Sequence, residues 1–194
     1  MTHTMGWVAL YSQSGSELEE IMNRVGEQPT LILTDRVNED RSEVMKFWSS
    51  PLNHKIISGI LANTRNSLIT LHGYLRILPP EALHPSNIIL NGHPGDIINF
   101  PELKGFNPQK KAIELGLPYT GTVIHHVTSE VDNGPIIAYN RLDLEGFNYT
   151  EEEVCERLKK KSVKAWEMVL GEQIENWDHR HPWSRENNAA RSSV

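Results

Sequence analysis

Short apolar runs alternate with amphipathic stretches through the first two thirds of the chain, and this alternation restricts the fold more than any other feature. "WVALYS" (7–12), "TLILTD" (30–35), "SLITLHGY" (67–74) and "NIILN" (87–91) have the length and composition of buried strands. After the first of them, Leu18, Ile21, Met22 and Val25 recur at helical spacing. Ser16 is read as the N-cap of that helix, with Glu19 at its third position and Gly26 as its stop. A polar, helix-compatible stretch runs to about Trp48, and "HKIISGIL" (54–61) suits strand or helix. "PPEAL" opens with proline, which fits a first helical turn, and "PQKKAIELG" (108–116) reads as a helix stopped by glycine. "GTVIHHVTSEVDNGPIIAYNRLDL" reads as two strands joined through Asp132-Asn133-Gly134. A long amphipathic helix follows from near Thr150, with Thr150 and Glu153 as a capping box and Val154, Leu158, Val163, Ala165, Val169 and Ile174 on its buried side. The pattern predicts an α/β fold: a Rossmann-like, mostly parallel central sheet with helices on both faces, and an antiparallel or mixed edge at the last two strands. One domain is expected over residues 1–177, followed by a polar, poorly ordered C-terminal tail, 178–194.

Composition narrows the function classes. The chain has 194 residues, 38% of them apolar and 23% charged, with a formal net charge of −6. The acidic balance argues against a nucleic-acid backbone as partner. The densest basic run, Lys159-Lys160-Lys161, falls in the long helix and is read as a solvated face. Cys155 is the only cysteine, so neither an internal disulfide nor a thiolate metal cluster is possible. No apolar run approaches the about 18 residues a membrane span needs, and the first residues lack the basic start of a signal peptide. The expected setting is the cytoplasm, with no membrane partner, as a monomer or homodimer.

In parallel sheets, ligands bind beyond the carboxyl ends of the strands. Asn91 and His93 fall at such an end, His125 near the end of the next strand, and Asp132 in the turn before "GPIIAY". An amide, an imidazole and a carboxylate can together carry out acyl transfer. The amide N–H stabilises an oxygen that becomes negative on attack, and the imidazole adds a donor or moves a proton. The carboxylate holds the imidazole charged, or holds a water that takes the amine's proton. The same residues also suit a purely structural role, satisfying turn backbone, since "DNG" is a common turn sequence.

The segments "LHGYLRIL", "NGHPGD" and "GTVIHHVTSEVDNGPII", in this order, resemble the folate-dependent formyltransferase family, which includes glycinamide ribonucleotide formyltransferase and the catalytic domain of methionyl-tRNA formyltransferase. The resemblance covers about residues 7–175 and is sharpest from Leu71 to Ile137. It implies transfer of a formyl group from 10-formyltetrahydrofolate to an amine, a step of one-carbon and nucleotide metabolism, with no metal. On that resemblance Asn91 polarises the formyl carbonyl, and His93, as imidazolium, stabilises the tetrahedral oxyanion. Asp132 positions His93 and a proton-relaying water, and His125 supports them. The family has no counterpart of His126, which is read as pointing to the opposite strand face. Leu75, Arg76, Ile77 and Leu78 resemble the segment that holds the pterin ring through main-chain groups and apolar side chains. The turn Thr128 to Val131, leading into Asp132, resembles the loop that covers the ring's other side. "LRIL" alone equally fits the exit of a core strand.

The acceptor side departs from the family. Gly15-Ser16-Glu17 stands where the glycinamide ribonucleotide enzymes have a phosphate-binding Gly-Ser-Asn turn. The glutamate either sets negative charge beside an anion there or only favours the helix N-terminus. Ser162 occupies the place of a glutamate that helps hold the acceptor sugar. Asp96-Ile97-Ile98-Asn99-Phe100 replaces the usual acceptor loop after Pro94, a residue also expected at the acceptor, and the region from Asp35 to Asn66 is shorter and more polar than the family pattern. The expected reaction is N-formylation of a small, phosphorylated amine such as a nucleotide or sugar nucleotide. The alternatives are hydrolysis of formyltetrahydrofolate and a folate- or nucleotide-binding module without turnover. The tRNA enzyme carries a further C-terminal domain and the hydrolases a further N-terminal one. Neither is expected here.

Overall fold

The computed structural model describes residues 6–36 and 42–180. Six strands form one sheet: β1 (Gly6–Tyr11), β2 (Leu31–Thr34), β3 (Ser67–His72), β4 (Ile88–His93), β5 (Tyr119–His126) and β6 (Ile136–Asp143), in the spatial order β2-β1-β3-β4-β5-β6. The first four are parallel. β5 runs antiparallel to β4, and β6 antiparallel to β5. The predicted mixed edge therefore includes the β4–β5 pair. The helices are α1 (Ser16–Val25), α2 (Glu43–Trp48), α3 (His54–Asn63), α4 (Pro108–Glu114) and α5 (Glu151–Arg180), with 3₁₀ turns at Pro80–Ala82 and Pro101–Leu103.

Strand alternation divides the core. Trp7, Ala9, Tyr11, Leu68 and Leu90 pack on one face with Leu18, Ile21 and Met22 of α1 and Val163, Trp166, Val169 and Leu170 of α5. Val8, Leu10, Ile69, Leu71 and Ile89 pack on the other with Ile57 and Leu61 of α3 and Ala82. "HKIISGIL" is thus a helix. Its N-terminus is fixed by Asn53, whose side chain accepts from the Ile56 N–H, and its apolar face has a sheet to cover. The Thr150–Glu153 capping box is present in both directions. Helix α5 continues past residue 177 to Arg180, and residues 181–194 lie outside the described residues.

Two local readings are corrected. The cap of α1 is Gly15, not Ser16: Gly15 takes the left-handed conformation at φ 79°, where a side chain is strained, and the Ser14 hydroxyl accepts from the Ser16 N–H. Glu19 does not close a box; its carboxylate accepts from Ser42. The Lys159–Lys161 run is not uniformly solvated. Lys160 pairs with Glu156 one turn back, but Lys159 reaches across to donate to Ser16 Oγ at 2.8 Å, tying α5 to the start of α1.

Trp166, not among the residues expected on the buried side of α5, is fully buried, and its ring lies tilted at 51° with its centroid 4.5 Å from that of His72. It sits directly over Gly92, where a Cβ would come within 2.7 Å of the indole nitrogen. The glycine between Asn91 and His93 thus lets α5 close on the sheet behind the site. Trp166→Ala should lower the unfolding free energy by about 3–5 kcal/mol, measured by urea denaturation; a loss under about 1 kcal/mol would show that the indole does not carry this contact.

Candidate active site

Asn91 and His93 are successive residues of one face of β4, and Asn91 lies directly opposite His125 of β5. Side chains opposed across an antiparallel pair share a face. Asn91, His93 and His125 therefore converge although the chain reverses between them. The connection from β5 to β6 returns Asp132 over the same face. Asp132 has φ 49°, a left-handed conformation that aspartate tolerates better than most residues. Gly134 follows because nothing larger fits: a Cβ there would lie 1.8 Å from the His126 carbonyl oxygen. A bulge leaves Ile137 without a partner where the pairing shifts between Ile124 and His125, bending the hairpin beside the site.

The polar atoms meet at one carboxylate. Asp132 Oδ2 lies 3.3 Å from His93 Nδ1 and accepts from the Gly105 N–H at 2.9 Å. Its Oδ1 lies 3.4 Å from His125 Nε2 and 3.5 Å from Asn91 Nδ2. His93 Nε2 donates to the Leu103 carbonyl at 2.9 Å, and His125 Nδ1 donates to the His126 carbonyl at 2.9 Å. These two bonds fix the tautomers, because only an N–H can bond a carbonyl. In neutral His125 the free Nε2 lone pair accepts from Asn91 Nδ2 at 3.1 Å; once protonated, the ring can donate to Asp132 instead. A neutral His93 turns its Nδ1 lone pair toward a carboxylate oxygen, and a proton on Nδ1 converts that contact into an ion pair.

Burial acts against charge at both ends of this pair. It pushes the His93 imidazole below its ordinary range, with help from His125 and Lys111, while Asp132 and the Leu103 carbonyl oppose the shift. Burial also pushes the Asp132 carboxyl up. The contacts with His125, the charge on His93 and the Gly105 N–H outweigh it, and the group titrates at about 2. Asp132 is thus a fixed anion above pH 4, while for His93 burial outweighs the attraction of Asp132 and favours the neutral ring.

The other expected residues lie along the same edge of the sheet. Ser12, at the end of β1, accepts from the Leu75 N–H at 3.0 Å, placing the 73–78 segment beside the β1 exit. Within that segment Leu75 is 46% and Ile77 70% exposed, and Leu78 is in the core. Arg76 pairs with Asp35 at 2.7 Å. Val131, next to Asp132, is 49% exposed. At the α1 turn, Ser16 receives Lys159, and Glu17 accepts a hydrogen bond from Ser162. Removal from water raises the Glu17 carboxyl against that bond and the Lys159 charge. Pro94, half-buried, leads out of β4. Among the described residues no group of three or more His, Cys, Asp and Glu side chains is arranged to hold a metal ion, and no helix is long and apolar enough to cross a membrane.

Several residues of this neighbourhood were not legible as such. Asp96 is fully buried and builds the turn after β4, accepting from the N–H groups of Ile98 and Asn99 and from Tyr139 OH. Asp-x-x-Asn after a strand was its available signal. Leu103 and Gly105 act through backbone atoms, which no side-chain pattern marks.

A family model described as "Formyl transferase" matches residues 8–170, and the chain belongs to that family. It is 31% identical over 115 residues to the phosphoribosylglycinamide formyltransferase of Haemophilus influenzae, covering 59% of this chain and 52% of that protein. It is 37% identical over 75 residues to the formyltetrahydrofolate deformylase of Bacillus subtilis, covering 36% of this chain and 23% of that protein. The matched part spans from 17% to 52% of the length of these and other curated relatives. The solved structure of glycinamide ribonucleotide transformylase 1 from Symbiobacterium toebii has the same fold, with a TM-score of 0.73 at 24% identity, covering 91% of this chain and 90% of that one.

Because the Asp132 carboxyl titrates below its value in an unfolded chain, its contribution to stability is complete above about pH 4 and is lost as pH falls toward 2. Asp132→Asn should therefore flatten the acid limb of a plot of urea midpoint against pH between 4 and 2; a limb as steep as that of the parent would show that the carboxylate contacts do not contribute to folding.

Proposed function

We propose that the protein is an N-formyltransferase that moves a formyl group from 10-formyltetrahydrofolate to the amine of a small acceptor. The observation that carries this reading is the single carboxylate, Asp132, shared among His93, His125 and Asn91 at the carboxyl edge of the sheet. The incoming amine attacks the formyl carbon, the carbonyl oxygen takes negative charge, and the bond from carbon to the folate N10 then breaks. Asn91 and His93 are the donors for that oxygen, and Asp132 supplies the anion that balances an imidazolium and directs the water that removes the amine's proton. Both ring nitrogens of His93 are engaged within the protein, so reaching the oxygen requires one of those bonds to open. The exposed apolar side chains of Leu75, Ile77 and Val131, on two segments along the same edge, fit a flat heteroaromatic ring. Leu78 contributes from the core side, and the Arg76 main chain offers polar contacts.

The acceptor we infer is small and carries an amine, with a nucleotide or sugar nucleotide as the leading class. The Gly15-Ser16-Glu17 turn is its expected anion end, although Glu17 and the Lys159 link leave less room for charge there than a bare helix N-terminus would. Hydrolysis is the second reading, and the similarity to a deformylase favours it: water in place of the amine needs the same three residues.

Release of tetrahydrofolate from 10-formyltetrahydrofolate, followed by absorbance with and without candidate amines, separates the readings. Amine-dependent release supports transfer, amine-independent release supports hydrolysis, and binding without release would overturn both. His93→Ala should slow turnover by about 10²–10³ while folate affinity stays within about threefold; a full rate in that variant removes His93 from the chemistry.

A further inference from the structure

Three consecutive residues, from the end of the second 3₁₀ turn onward, hold the cluster from outside its own strands. Leu103 gives its carbonyl to His93 Nε2, Lys104 donates its ammonium to Asn133 Oδ1 at 2.6 Å, and Gly105 gives its N–H to Asp132 Oδ2. Beyond Leu103, the last residue of the 3₁₀ turn, this strap belongs to no strand or helix. It ends in two left-handed residues, Gly105 at φ 78° and Asn107 at φ 51°, with Phe106 between them exposed. Its start is anchored by the fully buried Leu103 side chain, while Lys104 and Gly105 lie beyond that anchor.

What ties it down is Lys111 of α4. Its Nζ donates to the Lys104 carbonyl at 3.0 Å and lies 3.4 Å from the Glu102 carbonyl. The neighbouring Lys110 behaves as an ordinary surface lysine, facing Glu114 one turn on at 3.7 Å. We propose that Lys111 is a positioning residue for the reaction: it clamps Leu103–Gly105 against the cluster and thereby sets the ring of His93 and the carboxylate of Asp132 from α4. The inference rests on the reading of His93 and Asp132 as the reacting pair.

The chemistry of the contact distinguishes a clamp from a surface ion pair. Carbonyls satisfy the N–H donors of Lys111 without neutralising it, so a net positive charge stays near His93. The charged and titratable groups facing His93 are Asp132 from the β5–β6 connection, His125 from β5 and Lys111 from α4. Asp132 favours the imidazolium; His125 and Lys111 disfavour it. Lys111 thus acts on His93 in two ways, through the Leu103 carbonyl that orients the ring and through the field that opposes its protonation.

The test is the exchange with solvent of the Gly105 N–H, followed by NMR in the free protein, because that bond to Asp132 reports the position of the strap. No substrate is needed, so the result is independent of whether the parent transfers formyl groups. In Lys111→Met, which keeps the apolar stem, the Gly105 N–H should exchange about tenfold faster because the strap that presents it to Asp132 is loosened, and Lys111→Arg should restore the parent rate. Where the parent turns over, kcat of Lys111→Met should fall about tenfold with KM for the folate little changed. A Gly105 N–H that exchanges at the parent rate in Lys111→Met overturns the proposal, whether or not thermal stability drops. If Lys111→Met does not fold, Lys111→Gln is read in the same way.

Discussion

A carboxylate held out of water must be surrounded by donors or give up its charge, and the architecture around Asp132 follows from that constraint. Its two oxygens collect one backbone N–H, two imidazole edges and an amide. To reach them, the chain adopts a left-handed residue at 132 and spends a glycine at 134 to pass the His126 carbonyl. With that anion fixed, the roles of the neighbours separate. His125 has its orientation locked by its own backbone, and Asn91 bridges two acceptors. His93 alone is caught between a carboxylate that favours its proton and burial that opposes it. A buried ring held toward its neutral form beside a fixed anion is suited to the proposed formyl transfer, where charge appears and disappears within a single turnover.

Much of this was legible in the sequence because it is carried by side chains at element ends. Asn91, His93, His125 and Asp132 declare themselves by type and by their place at strand exits, and the geometry brings all four together. The mostly parallel sheet and the helices on both of its faces follow from short apolar runs read against helical periodicity, whereas the strand order does not. What escaped was carried by backbone and by shape. Gly15 caps α1 through its conformation, which the adjacent Ser16 obscures. Trp166 lies on the expected face of α5, but a lone indole in a lysine-rich stretch gives no sign that it closes over Gly92. The strap at Leu103–Gly105 works through a carbonyl and an N–H, which every residue possesses. Lys159 and Lys160 are indistinguishable as letters, yet one crosses to α1 and the other stays on its own helix.

The chemical centre and the acceptor side are built on different principles. The centre uses adjacent strands in fixed register with buried, mutually satisfied polar atoms. The α1 turn instead draws on α5, where Lys159 and Ser162 meet Ser16 and Glu17. That turn is occupied by its own protein charges, and the proposed binding of an acceptor's anionic end there would require them to yield. On the resemblance read from the sequence, Asn91, His93 and Asp132 take the family's places, while Glu17, Ser162 and the stretch after Pro94 depart from them.

The antiparallel pairing of β4 with β5 bears on how such a protein can diversify. Asn91 and His125 occupy one rung of the ladder. A single inserted or deleted residue within either strand would send one of them to the opposite side of the sheet, so those segments are closed to length variation. The stretch leaving β4 and returning through α4 carries no such restriction, provided its ends still meet the ladder. Evolution can therefore rebuild the covering loop, and with it the choice of acceptor, by adding or removing residues there while the reacting groups keep their mutual spacing.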